Sequence, residues 1–309
     1  MANRTPLFSR KQPGGVYTIA DMQDHPGNIF FVDSGHTSAE DGAGFGQSPD
    51  SPCATLDYAV GLCTASNGDV IYVMPGHAEA IAADSDVDID VAGITVIGLG
   101  KGAARPTFTF ATAVTADFKL AAASTYVENI LFLSGIDATT GIVEVSAADC
   151  SIVNCEFRDA TGQATDCLVI TDGSDRLKVL GCTFNMAAAA GADSAIAIVS
   201  SDDVEIADCK IYGNFAVGGI DLRTTASARI SIHDCTIWTA NAADICIVDT
   251  ITGSTGTIGP NLNLILLDDA ANVTEAVTGA TFYMLREVFV TNAVNQGSLL
   301  INWTAVADS

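Results

Sequence analysis

Few side chains in this chain are placed to do chemistry together. Two adjacent acidic pairs, Asp202-Asp203 and Asp268-Asp269, come nearest to the paired carboxylates that break a glycosidic bond. Neighbours on a strand point to opposite faces, so neither pair makes a dyad by itself, and solvated turn acids are expected. In ADSDVDIDV (83–91), Asp84, Asp86, Asp88 and Asp90 alternate with other residues and would line one strand face opposite Val87, Ile89 and Val91. Calcium takes such oxygen ligands, but the Gly and Glu of an EF-hand loop are missing, so a solvated face is expected rather than a metal site. His25, His36, His77 and His233 show no metal-ligand spacing, and His233 is expected at a corner. GAGFGQS (42–48) lacks the Lys-Ser/Thr of a phosphate loop. Nine cysteines, an odd number with no CxxC, point to reduced thiols rather than zinc or a disulfide framework. No cofactor is expected.

Whatever positions these groups must bury a large apolar fraction. Of 309 residues, 49% are hydrophobic and 16% charged, with few aromatics, and small and β-branched side chains suit stacked strands. A net charge of −24 repels phosphate backbones and anionic membranes, which argues against nucleic acid and membrane partners. No apolar run approaches the ~20 residues of a membrane span. MANRTPLFSRKQPGG carries basic residues without an apolar stretch behind them, so no ordinary N-terminal export signal is expected.

The cysteine spacing discloses the repeat. Cys155, Cys182, Cys209 and Cys235 are separated by 27, 27 and 26 residues, inside the phrases SIVNCEF, KVLGCTF, VEIADCKI and ISIHDCTI. Ile130 in ENILF holds the same slot one turn earlier. A second set of short apolar runs, IVEV, CLVI, AIAIV, GIDL and ICIV, recurs between them, with polar turns in the gaps. A period of this length with short strands and no helix-length segment predicts an all-β parallel β-helix solenoid, about 26 residues per coil. Equivalent side chains would then stack at roughly 4.8 Å, with Ile130, Cys155, Cys182, Cys209 and Cys235 as an interior ladder. Asn154, Asp208 and Asp234, with Gly181, would sit at the adjoining bend.

These phrases resemble the I-x-I-x-[ND]-C-x-[FI] repeats of pectin-lyase-like right-handed parallel β-helix proteins, over roughly residues 68–250. The resemblance implies the fold more than an activity, because this fold hosts lyases, hydrolases, adhesins and phage spikes alike. Neither the Gly-His-Gly nor the Arg-x-Lys of the pectinase-like members is expected here. PCATLDYAV (52–60) and GDVIYVMPG (68–76) are similar to the entry segment of many β-helix proteins. Leu56, Ala59, Val60 and Cys63 predict a short helix there, starting near Ser51-Pro52, to cover the open solenoid end. The block 29–101 also resembles entry segments of phage structural proteins.

Three regions follow: an N-terminal arm at 1–28, read equally as a loose terminus or as an arm that docks on another subunit, the capped β-helix at 29–250, and a C-terminal β cap or oligomerisation module at 251–309. In the last, TFYMLREVFVT and SLLINWTAV flank a turn at 295–297, and Phe282, Tyr283, Phe289 and Trp303 would suit a subunit interface, with core packing an equal explanation. The favoured function is a non-enzymatic phage virion protein: capsid decoration, head fibre or tail spike. Such a protein is made in the host cytoplasm and resides in the virion. It would contact other virion proteins through its arm or C-terminal module, and a cell-surface glycan is a further possible partner. The resemblance implies a homotrimer. The alternatives are a polysaccharide lyase or hydrolase, including a depolymerase tailspike, and a bacterial surface adhesin.

Overall fold

Short runs in which apolar and polar residues alternate become short strands, each laying one face on a shared core. The computed structural model describes residues 27–160, 163–187, 192–241, 245–267, 276–279, 281–285, 287–292 and 298–299, with the backbone of 8–11 and 17–19. Sheet I runs through ten strands from Ile29–Val32 to Thr281–Met284. Sheet II runs through ten from Ala78–Ile81 to Ser298–Leu299, and sheet III through eight from Val87–Ile89 to Val277–Thr278. Each successive strand of a sheet comes from the next coil, and within the three sheets only the last pair, Val288–Asn292 with Ser298–Leu299, is antiparallel. The molecule is a parallel β-helix of about eight turns.

Pairing passes residue 250 without a change of register. Ile230–His233 pairs with Thr255–Ile258, and Thr236–Thr239 with Leu262–Leu266, as their predecessors do. At the other end, Phe8–Lys11 and Tyr17–Ile19 form a separate antiparallel pair.

The cysteine slot is an inward ladder. Ile130, Cys155, Cys182, Cys209 and Cys235 are all buried, and Leu262 continues the column. Each follows a single residue with left-handed backbone: Asn129, Asn154, Gly181, Asp208, Asp234 and Asn261, with φ between 52° and 64°. Asn and Asp tolerate this region better than other side chains, and Gly adopts it freely, which explains their choice at a one-residue corner. Two residues beyond the ladder, Phe108, Phe132, Phe157, Phe184, Ile211 and Ile237 form a second inward column on sheet II. Phe157 and Phe184 stack with centroids 4.4 Å apart and planes 6° from parallel. All nine cysteines are free thiols. Burial pushes the Cys155 thiol up to about 12, so it stays protonated and packs as a small hydrophobe.

The capping helix spans Leu56–Gly61 and begins later than its sequence suggests. Asp41 accepts hydrogen bonds from the backbone of Ala54 and Thr55, and Cys53 bridges to Val32, so this stretch stays extended. Thr55 then supplies the N-cap, accepting from Tyr58 N–H. Leu56, Ala59 and Val60 close the core at this end. Cys63 lies just past the helix and is half-buried.

Candidate functional site

Asp202 and Asp203 stand at the corner between sheets III and I. Ser124, Asp149, Arg176, Asp203 and Arg229 occupy successive steps of that corner, all left-handed, with φ from 59° to 62°. The N–H of Asp149, Arg176 and Asp203 each donates to a carbonyl of the next coil. Their side chains alternate in charge. Arg176 grips both oxygens of Asp149 at 2.6 and 2.8 Å, and Arg229 grips those of Asp203 at 2.6 and 2.7 Å. These guanidinium bonds hold the carboxyls of Asp149 and Asp203 below the usual range. Asp202 accepts from Ala228 N–H and from Arg229. Both candidate carboxylates are thus bonded between coils rather than presented to a substrate. The other pair, Asp268-Asp269, lies outside the described residues, as does Trp303.

In the aspartate-rich stretch, Val87 and Ile89 are fully buried while Asp84, Asp86 and Asp90 are exposed and Asp88 is half-buried. Asp86 accepts from Ala82 N–H, turning back on its own strand entry. Burial, then like-charged Asp90, raises the Asp88 carboxyl. No group of three acidic, His or Cys side chains is gathered for a metal among the described residues. His233 faces outward on sheet I and bonds to Asp234 at 2.7 Å, which with Glu205 raises its pKa.

Of the residues read as an interface, Tyr283 is 76% exposed and Phe289 45%. Phe282 is buried in the core instead, because strand alternation turns it inward between these two faces. Leu267 and Leu285 are exposed nearby in sequence.

A charged constellation not singled out from sequence lies on sheet III. Asp166 and Asp221, 5% and 1% exposed, share Arg223. Arg223 Nη2 donates to Asp166 at 2.5 Å, and Nη1 reaches Asp221 at 3.5 Å. Ser194 Oγ donates to Asp166 at 2.5 Å. Asp221 Oδ1 is buried without a hydrogen-bond partner. Burial pushes the Asp221 carboxyl up to about 6, with Arg223 opposing and Asp166 assisting. Two neighbouring carboxyl groups, of which Asp221 holds its proton in mild acid, are a general acid–base arrangement in kind, but Arg223 already spans the two. The sequence signal was the Asp-Leu-Arg at 221–223 set two coils above Asp166, which becomes visible only once strands are in register. The Arg-x-Lys of the pectinase-like members, expected to be absent, is present in sequence at Arg176-Leu177-Lys178. Its arginine binds Asp149, and Lys178 lies 3.4 Å from Glu205.

The coils, the left-handed corners and the inward ladders define a parallel β-helix. Residues 120–258 match a family model described as a right-handed β-helix region. The sequence has no match among curated proteins. A solved structure titled rhamnogalacturonan lyase is similar over 80% of this chain and 75% of its own, with a TM-score of 0.42 and 12% identity, too distant to bear on activity.

Proposed function

We propose that this chain is a non-enzymatic structural subunit of a phage virion, a decoration, fibre or spike protein built on a stiff β-helix. The observation that carries the reading is the fate of the charged side chains. Asp149 and Asp203 are tied to arginines of the neighbouring coil, Asp221 to Arg223 of its own coil and Asp166 to Arg223 two coils away. Charges used this way hold coils together, which is what a load-carrying rod requires and what a catalyst leaves free. Exposed Tyr283 and Phe289, on the last coils, support self-association at that end, and a trimer is the assembly proposed. The test is light scattering of the full-length chain, followed by mass spectrometry of purified particles from a host that carries the gene. A trimer found as a stoichiometric particle component supports the reading. A monomer absent from particles would sink it.

The second reading is a polysaccharide lyase or hydrolase. The buried Asp166–Arg223–Asp221 group favours it, and reducing ends or unsaturated products released from a polysaccharide panel, lost in Asp221→Asn, would establish it.

A further inference from the structure

The corner between sheets I and II carries an open groove of about 540 Å³, lined by Ile97, Lys101, Arg105, Glu128, Asn154 and Glu156 among others. It runs from Gly98 to Gly181, three coil spacings or roughly 14 Å. Gly181 replaces the Asn or Asp found at neighbouring corners. A Cβ there would lie 2.6 Å from Asn154 Oδ1, so the glycine leaves room for that amide. We propose that this groove binds an uncharged linear saccharide lying along the solenoid axis.

The polar wall is pre-set. Glu128 accepts from Tyr126 O–H at 2.9 Å and from Asn154 Nδ2 at 3.4 Å. Glu156 accepts from Arg105 at 2.9 Å and from Arg158 at 3.1 Å. Arg105 Nε is buried without a partner, and Lys101 is exposed at the rim. The wall therefore carries both acceptors and donors. Hydroxyl groups can serve both, because each donates once and accepts twice. An anionic polymer would meet two glutamates on a chain of net charge −24, and a cationic one would meet Arg105 and Lys101.

An apolar platform continues the groove. On the outward face of sheet I, Phe31, Tyr72, Ile97 and Glu128 lie in register on successive coils. Phe31 and Tyr72 stack with centroids 6.0 Å apart, and both are half-buried, leaving ring surface for the C–H faces of a sugar. Aromatic surface beside a few convergent polar groups is the usual make-up of a small-molecule site.

The experiment is an array bearing cellohexaose, maltohexaose, laminarihexaose and chitohexaose, with polygalacturonate as the acidic comparison, followed by calorimetric titration of any retained hexasaccharide. Retention of a neutral hexasaccharide is expected, with affinity falling about tenfold or more in Glu128→Gln and in Tyr72→Ala, and unchanged in Arg229→Ala at the far corner. Glu128→Gln is nearly isosteric, and its unfolding midpoint separates lost binding from lost fold. No retention of these four sugars, retention of polygalacturonate alone, or affinity indifferent to both groove substitutions would overturn the proposal. The site needs no virion context, so its failure and that of the structural reading are distinguishable.

Discussion

Arg229 sits one coil above Asp203, both at left-handed corner residues, and its guanidinium meets both carboxylate oxygens at 2.6 and 2.7 Å. The same relationship joins Arg176 to Asp149 at 2.6 and 2.8 Å. One residue per step alternates in sign along this corner, so the coils of Asp149 and Arg176, and those of Asp203 and Arg229, are clamped together outside the core as well as within it.

This clamp is exposed, so its strength should depend on salt and pH. The depressed Asp149 and Asp203 carboxyls favour the folded state above the ordinary carboxylate range, near 3.9. Their contribution is lost as pH falls through the lower folded values. The double variant Asp149→Asn with Asp203→Asn should have a flatter acid limb in urea unfolding below pH 4, and the difference from wild type should shrink in high salt. Equal acid limbs would show that the clamp is decorative. His233 should act with the opposite sign, because its raised pKa favours folding below about 6.5, and that gain is lost as pH rises through the folded value.

The aromatic column carries more energy per residue. Phe157 is fully buried, 5.1 Å from Phe132 and 4.4 Å from Phe184 by ring centroids. Phe157→Ala removes both contacts and leaves a cavity that neighbouring coils, fixed by their hydrogen-bonded register, close poorly. A loss of about 3–5 kcal/mol in urea unfolding is expected. Phe157→Leu, which keeps much of the volume, should cost well under that.

The cysteine ladder makes a chemical prediction. Burial raises the thiols of Cys155, Cys167, Cys53 and Cys63, and a sulfur–sulfur hydrogen bond contributes first for Cys209 and Cys235. A thiol reagent acts on the thiolate, so native protein at pH 8 should show little fast reaction. All nine should react once denatured. A fast stoichiometric class in the native state would mean that the ladder opens.

Some of this could be read from residues alone and some could not. The 26–27-residue recurrence of Cys155, Cys182, Cys209 and Cys235 disclosed the coil, because a slot facing the core admits only apolar side chains and so leaves a periodic mark. Asn154, Asp208 and Asp234 marked the adjoining bend for the same reason, through backbone conformation rather than burial. The arginine clamps were hidden, since Asp203 and Arg229 are 26 residues apart and neither looks special in its own turn. Asp166 and Arg223 are 57 apart and meet only because the one coil between them holds both in fixed register. For Phe282 the sequence left interface and core packing equally open, and the side chain is buried. Its inward direction depends on the phase of one strand, and a cluster of aromatics does not reveal phase.

Asp221 sets the last expectation. It is 1% exposed, one carboxylate oxygen has no hydrogen-bond partner, and its carboxyl titrates near 6 rather than near 3.8. A folded pKa raised above the unfolded one means the native state holds the proton more tightly, so stability falls as pH rises from about 4 to 6 and then levels off. That rise, with the opposing effect of Arg223 already in it, corresponds to roughly 3 kcal/mol at most. Asp221→Asn keeps the shape, cannot ionise and leaves Arg223 bonded to Asp166. It should remove that decline from the pH profile of the unfolding midpoint, leaving the variant as stable as wild type near pH 4 and more stable at pH 7. A variant less stable than wild type at pH 7 would instead mean that the ionised Asp221–Arg223 pair holds sheet III together. In that case the unpaired oxygen is a cost borne for the second arm of the arginine bridge.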